Sequence, residues 1–200
     1  MTDAWFDRVR QSALGWRTST EFTYDIARLA IERDIPGDFV ECGVYAGAQS
    51  ALMAQAYLDG PANPEGRLVH LFDSFQGIPE PGSQDLDFAK LKGGESACDL
   101  AGVQRNMQDW GIPDVVLVYH VGFFSETIPA AVANGEVTQI AVLRLDADLY
   151  ESTLTALRHL YPLLSPGGFL IVDDYDLTGC RLAVLDYLGA QAPAVWRKHE

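Results

Sequence analysis

Short apolar runs alternate with amphipathic stretches along most of this 200-residue chain. Apolar runs rich in β-branched residues are typical of parallel strands buried on both faces, and the amphipathic stretches between them are typical of helices. The pattern predicts strands at 38–43, 67–72, 115–120, 139–145 and 168–172, with a further short strand at 194–197. It predicts helices at 20–33, 48–58, 127–134, 152–164 and 181–188. We therefore expect an α/β fold with a mostly parallel sheet and helices on both faces.

Length and composition favour one soluble domain over residues 1–200. A fraction of 48% hydrophobic and 21% charged residues is ordinary for a soluble globular protein. No apolar run reaches the roughly 18 residues of a membrane span, and the first residues do not resemble a signal peptide, so we expect a cytoplasmic protein.

Cys42, Cys98 and Cys180 are too scattered for a disulfide framework or a thiolate zinc site, and we expect reduced thiols that serve as packing groups.

The formal net charge is −14 at pH 7. Such a surface repels phosphate backbones, so we expect no nucleic acid as a partner. The lack of an apolar run long enough to span a membrane leads us to expect no membrane partner. Acidity by itself indicates solubility. It becomes informative about function where several carboxylates converge.

Carboxylates lie at the ends of four of the five main predicted strands, although the strands themselves are apolar almost throughout. Ligands of an open parallel sheet bind beyond the carboxyl ends of its strands, near the point where the strand order reverses. The acids in question are Glu41, Asp73, Asp146, Asp148, Asp173 and Asp174. We therefore expect a ligand site at this edge of the sheet.

Asp146, Asp173 and Asp174 end the fourth and fifth predicted strands. Clustered carboxylates repel one another unless a cation is present, and an all-oxygen site suits magnesium, manganese or calcium. An alternative is that Asp148 and Asp174 merely cap the helices that follow. Capping does not readily explain acids at the buried ends of two apolar strands, so the sequence predicts a divalent metal site.

The turn after the first strand contains Gly43 and Gly47, which allow close approach of the backbone to a ligand, although a plain tight turn is the alternative. Glu41 suits a ligand with a cationic amino-acid end, and Asp73 stands where an acid commonly holds a ribose diol. The middle glycine of a dinucleotide fingerprint is absent, which argues against a nicotinamide oxidoreductase.

Residues 74–99 show little periodicity and several prolines and glycines. A loop of this length inside a small domain is typically a lid or a binding loop, with disorder as the alternative. We expect an active-site lid, because the segment leaves directly from the end of a predicted strand.

Several segments resemble the macrocin O-methyltransferase family over about residues 18–198: VECGVYAG, LFDSFQGIPEP, VGFFSETIPA, LRLDADLYESTLTALRHLYPLLSPGG and IVDDYDLTGC. The resemblance implies a Rossmann-like class I methyltransferase fold, S-adenosylmethionine as the methyl donor, and Mg²⁺ or a similar divalent cation. It also implies a small-molecule acceptor, usually a sugar hydroxyl of a natural product, and the capacity to assemble as a homo-oligomer.

Carried over by position, the resemblance assigns Asp146, Asp173 and Asp174 to the metal and makes Asp146 the catalytic base. The expected cofactor-binding residues are Glu41, Gly43, Val44, Tyr45, Gly47, Asp73, Ser74, Phe75, Gly122 and Phe123. We expect a metal-dependent O-methyltransferase. The alternatives are a non-catalytic binding protein with the same fold and a metal-dependent hydrolase that uses the same three aspartates.

Overall fold

The computed structural model describes residues 3–12, 17–60, 66–88, 93–94 and 96–189, with the backbone alone described at 17–20. The strands are β1 (Asp38–Cys42), β2 (Val69–Asp73), β3 (Leu117–Val121), β4 (Ile140–Leu145) and β5 (Leu164–Val172). The helices are α1 (Asp3–Arg10), α2 (Arg17–Glu32), α3 (Ala48–Leu58), α4 (Leu100–Trp110), α5 (Phe124–Ala133), α6 (Tyr150–Leu160) and α7 (Thr178–Leu188). One-turn 3₁₀ segments lie at Leu86–Phe88, Asp114–Val116 and Tyr161–Leu163.

The five strands form one sheet in the order β3-β2-β1-β4-β5, and every neighbouring pair is parallel. The chain moves outward in one direction from β1 to β3, and then returns to the other side of β1 to lay down β4 and β5. The strand order therefore reverses between β1 and β4, which is where an open α/β sheet binds its ligands. The Rossmann-like α/β fold expected from the sequence is confirmed.

Helices cover both faces of the sheet. On one face the buried side chains of α2, α3 and α4 pack with Phe39 and Val142, and on the other those of α5, α6 and α7 pack with Val40 and Leu143. Consecutive strand residues thus contribute to opposite layers, as the pleat of a strand requires. Both helical layers present apolar side chains to the sheet. Because the strands are buried on both faces, their sequences are continuous hydrophobic runs.

Two helices were not predicted. Helix α4 has local signals that the sequence analysis overlooked: the Asp99 carboxylate accepts the Gly102 N–H at 2.6 Å at its start, and Gly111 ends it with a φ of 77°. Its buried residues Val103, Met107 and Trp110 follow helical spacing. Helix α1 lies near the start of the chain and buries Val9.

The five main strands were predicted in the right places, with ends that differ by a few residues. β5 begins at Leu164 and not at residue 168, because its first residues already pair with β4 through Ile140. The predicted strand at 194–197 lies outside the described residues. No helix in the described part of the chain has both the length and the apolar character needed to span a membrane.

Candidate active site at the carboxyl ends of the strands

A cavity of 560 Å³ opens at the carboxyl ends of β1, β4 and β5, beside the reversal point of the strand order. Ten of the residues assigned from the sequence to the cofactor or the metal line it: Glu41, Gly43, Val44, Tyr45, Asp73, Ser74, Phe123, Asp146, Asp173 and Asp174. Three others, Gly47, Phe75 and Gly122, lie behind this wall and do not line the cavity. They shape the backbone of the turns, and Phe75 is buried in the core.

Asp73 fastens the first turn to the end of β2. The backbone N–H groups of Val44 and Tyr45 donate to Asp73 Oδ2 at 2.7 and 3.1 Å, and the Phe75 N–H donates to Oδ1 at 2.7 Å. A carboxylate that accepts several backbone N–H groups is held in one orientation. The sequence suggested only a ligand-binding role for Asp73, and the structure adds that it organises both neighbouring turns.

Gly43 is the residue that lets β1 and β4 end side by side. Its φ is +89°, a conformation that L side chains rarely adopt, and a Cβ at this position would overlap the Asp146 carbonyl group. The Asp146 N–H in turn donates to the Cys42 carbonyl oxygen at 2.9 Å. The first turn and the aspartate-bearing end of β4 are therefore in direct backbone contact.

Asp146, Asp173 and Asp174 converge as the sequence predicted. One carboxylate oxygen from each lies within 4.8 Å of the others. Burial, and then the neighbouring acids with Asp146 foremost, raise the pKa of Asp174 well above its ordinary value. This cluster has an excess of negative charge and offers only oxygen ligands, which suits a hard divalent cation.

Capping does not account for these acids. The N-cap positions of α6 and α7 are Leu149 and Leu177, not Asp148 and Asp174. Instead, the Asp148 N–H donates to Asp174 Oδ2 at 3.2 Å, which ties the two acidic turns together.

Arg144 is the main residue of the site that the sequence analysis missed. Its guanidinium is 1% exposed and lies 3.2 Å from Glu41, 2.7 Å from Asp146 and 2.8 Å from Asp173. Burial lowers the pKa of Arg144, but the three carboxylates outweigh burial, so the net shift is upward and the group stays charged. A charged residue inside an apolar strand needs a buried partner, and this was the available signal.

Glu41 lies opposite Arg144 in the register of β1 and β4 and is equally buried. Burial raises its pKa to about 8, against the opposing effects of Arg144 and of the Ser50 hydroxyl, which donates to Glu41 Oε2. Arg144 thus bridges Glu41, below the first turn, to the aspartates on β4 and β5. One buried network connects the two halves of the cavity.

Cys42, Cys98 and Cys180 are free thiols, and Cys42 and Cys180 are buried. The histidines His70 and His120 contact each other away from the cavity, with His70 Nδ1 and His120 Nε2 2.9 Å apart. Phe72 stacks on His120 at a ring distance of 4.0 Å.

A family model described as macrocin-O-methyltransferase matches residues 8–193. The 8-demethyl-8-(2,3-dimethoxy-alpha-L-rhamnosyl)-tetracenomycin-C 4'-O-methyltransferase of Streptomyces olivaceus is 41% identical over 78% of this chain and 59% of its own length. The mycinamicin III 3''-O-methyltransferase of Micromonospora griseorubida is 38% identical over 79% of this chain and 63% of its own length. The chain therefore matches less than two thirds of the length of these two curated relatives.

The solved structure of the O-methyltransferase NovP superposes with a TM-score of 0.79 at 33% identity, and the match covers 92% of this chain and 76% of NovP.

Proposed function

This chain belongs to the macrocin O-methyltransferase family, and from that premise we propose that it is a metal-dependent enzyme that methylates a hydroxyl of a natural-product sugar with S-adenosylmethionine as donor. The observation that carries the proposal is the convergence of Asp146, Asp173 and Asp174 in the same cavity as the first turn. Two curated relatives are named for 4'-O- and 3''-O-methylation, one of a rhamnosyl-tetracenomycin and the other of mycinamicin III.

The residues present fit a divalent cation. Three carboxylates with ligand atoms within 4.8 Å form an all-oxygen set, and Arg144 balances only part of their charge because it is shared with Glu41. Asp146, Asp173 and Asp174 would hold the ion. Burial, and then repulsion from the neighbouring acids, raise the pKa of Asp174, and a bound cation would relieve that repulsion.

The other half of the cavity suits the methyl donor. Val44 and Tyr45 present a backbone that is held by Asp73. Glu41 lines the cavity next to this turn, and its carboxyl group can accept a hydrogen bond from the ammonium group of the donor's amino-acid end. Asp73 keeps acceptor capacity beyond its backbone bonds, because each carboxylate oxygen has two lone pairs, and a ribose diol can donate to it. Phe123 supplies an apolar wall.

When bound, the donor supplies an electrophilic methyl group and the cation lowers the pKa of the acceptor hydroxyl. We assign Asp146 as the base, because its side chain is one third exposed (33%) to the cavity while its backbone is held by β1. Arg144 donates to Asp146 Oδ2 at 2.7 Å and keeps the carboxylate in place. The same guanidinium contacts Asp173 at 2.8 Å and so also holds the Asp173 carboxylate in place.

The test begins with calorimetric titration of S-adenosylhomocysteine into the protein with and without Mg²⁺. We expect saturable micromolar binding, followed by methyl transfer to neutral glycosides that stops in excess chelator. Undiminished transfer in chelator would refute the metal, and a folded sample that does not bind S-adenosylhomocysteine would refute the donor.

A matched pair of variants separates the metal from the fold. Asp174→Asn should keep S-adenosylhomocysteine binding and lose metal-dependent turnover by about 100-fold or more, because one ligand charge is gone. Asp176→Asn, an exposed neighbour that does not line the cavity, should behave as the wild type. Equal turnover in the two variants contradicts the assignment.

A further inference from the structure

Residues 74–88, the cover segment, leave the end of β2 and cross the cavity toward α6 and α7. Ser74, Gly77, Ile78, Pro79, Glu80, Gly82 and Asp85 from this segment line the cavity. The cover segment, which the structure describes throughout, contains one 3₁₀ turn, at Leu86–Phe88, and no strand that would pair with the sheet. Its position therefore depends on the contacts that its side chains make with the helices.

The first of these contacts is made by Asp85, which is buried at 3% exposure. Its Oδ1 accepts the N–H of Tyr150, the first residue of α6, at 2.7 Å. Its Oδ2 accepts the Gly82 N–H at 2.7 Å, which folds the segment back on itself. Asp85 therefore takes the position of a capping side chain for a helix 65 residues further along the chain.

Helix α7 leaves room for this carboxylate. A Cβ at Gly179 would overlap Asp85 Oδ1 and lie 3.1 Å from the Tyr150 nitrogen. Alanine is otherwise the better helix former at such a position. The glycine is consistent with a requirement for Asp85 to fit between the two helices.

The second contact is made by Asp87, whose Oδ2 accepts the N–H of Thr178, the first residue of α7, at 2.6 Å. The hydrogen bond from Thr178 lowers the pKa of Asp87, so the contact is retained at neutral pH. Both carboxylates also lie at helix N-termini, where the helix dipole favours negative charge.

Helices α6 and α7 begin within a few residues of the acidic ends of β4 and β5. We propose that Asp85 and Asp87 are positioning residues that clasp the cover segment onto the N-termini of α6 and α7, so that the segment forms a fixed wall of the cavity that Asp146 and Asp173 also line, where the acceptor hydroxyl would be deprotonated. The positioning role rests on the proposed function, whereas the clasp itself does not. Neither residue is assigned to the metal or to the methyl donor.

Amide hydrogen exchange measured by NMR tests the clasp without any substrate. We expect the Tyr150 amide to exchange about tenfold faster in Asp85→Ala and in Gly179→Ala, and the Thr178 amide to do so in Asp87→Ala. Asp87→Asn should restore most of the protection, because an asparagine side chain still accepts a hydrogen bond at a helix start. Ser83→Ala, which removes an exposed hydroxyl of the same segment, should leave both amides unchanged.

The kinetic arm tests the positioning role. We expect Asp85→Ala and Gly179→Ala to raise the acceptor KM at least fivefold, with the Kd for S-adenosylhomocysteine changed less than threefold. Wild-type exchange rates at Tyr150 and Thr178 in all three variants would overturn the clasp, and faster exchange with an unchanged acceptor KM would overturn the positioning role. Absence of methyl transfer in the wild type would count against the proposed function, while the amide exchange rates would still decide the clasp.

Discussion

Replacing Arg144 with methionine removes a buried cation that contacts three carboxylates. The guanidinium and Glu41 are each 1% exposed, and the contacts measure 3.2 Å to Glu41, 2.7 Å to Asp146 and 2.8 Å to Asp173. Methionine has a similar apolar stem and keeps most of the packing, so the measured change reports chiefly on the lost charge.

The expected cost follows from what the carboxylates do once the cation is gone. Removing one partner of a buried ion pair costs about 3–5 kcal/mol. Glu41 limits the loss, because burial already raises its pKa to about 8 and the group can take up a proton at neutral pH. We therefore expect a loss near the lower end, about 3 kcal/mol. For a chain of this size the corresponding decrease in Tm is about 6–12 °C.

Urea unfolding at pH 7, followed by tryptophan fluorescence, measures the free energy of unfolding of both proteins. The double variant Arg144→Met with Asp173→Asn should recover at least about 1 kcal/mol relative to the single variant, because Asp173 loses its counter-charge with Arg144 and the double variant removes that uncompensated carboxylate. The exposed Arg158→Met on α6 serves as the control and should change stability by less than about 0.5 kcal/mol. A loss below about 1 kcal/mol in Arg144→Met, or no recovery in the double variant, would refute the reasoning.

Two further predictions concern pH and backbone geometry. Burial and then His70 lower the pKa of His120 to about 4, so the unfolded chain binds a proton first, and stability should fall by up to about 3 kcal/mol between pH 6.5 and 4. His120→Asn should flatten this part of the pH profile in urea unfolding, and equal slopes would contradict the assignment. Gly43→Ala should unfold far more easily and lose S-adenosylhomocysteine binding, because a Cβ overlaps the Asp146 carbonyl group. Gly135→Ala, with a φ of +72° but nothing within 4 Å, should cost only about 1 kcal/mol in the same assay, and comparable losses would refute the steric explanation.

The sequence alone was enough to predict the sheet and the edge at which the site lies. Strands buried on both faces appear as apolar runs, and acids that follow such runs lie at the carboxyl ends of a parallel sheet whatever the strand order. The convergence of Asp146, Asp173 and Asp174 was predictable for this reason. Helix α4 was missed although its signals are local, because the Asp99 cap directly follows a long segment without periodicity, and an aspartate in such a segment is equally typical of a turn.

Only the tertiary structure decided which partners the charged side chains find. Arg144 lies opposite Glu41 because β1 and β4 are neighbours, although 103 positions separate the two residues in the sequence. The carboxylates of Asp85 and Asp87 are held at helix starts 65 and 91 residues away, contacts that no local pattern encodes. Periodicity and turn chemistry act over a few residues and are legible in the sequence, whereas the pairing of buried charges depends on which strands and helices pack side by side.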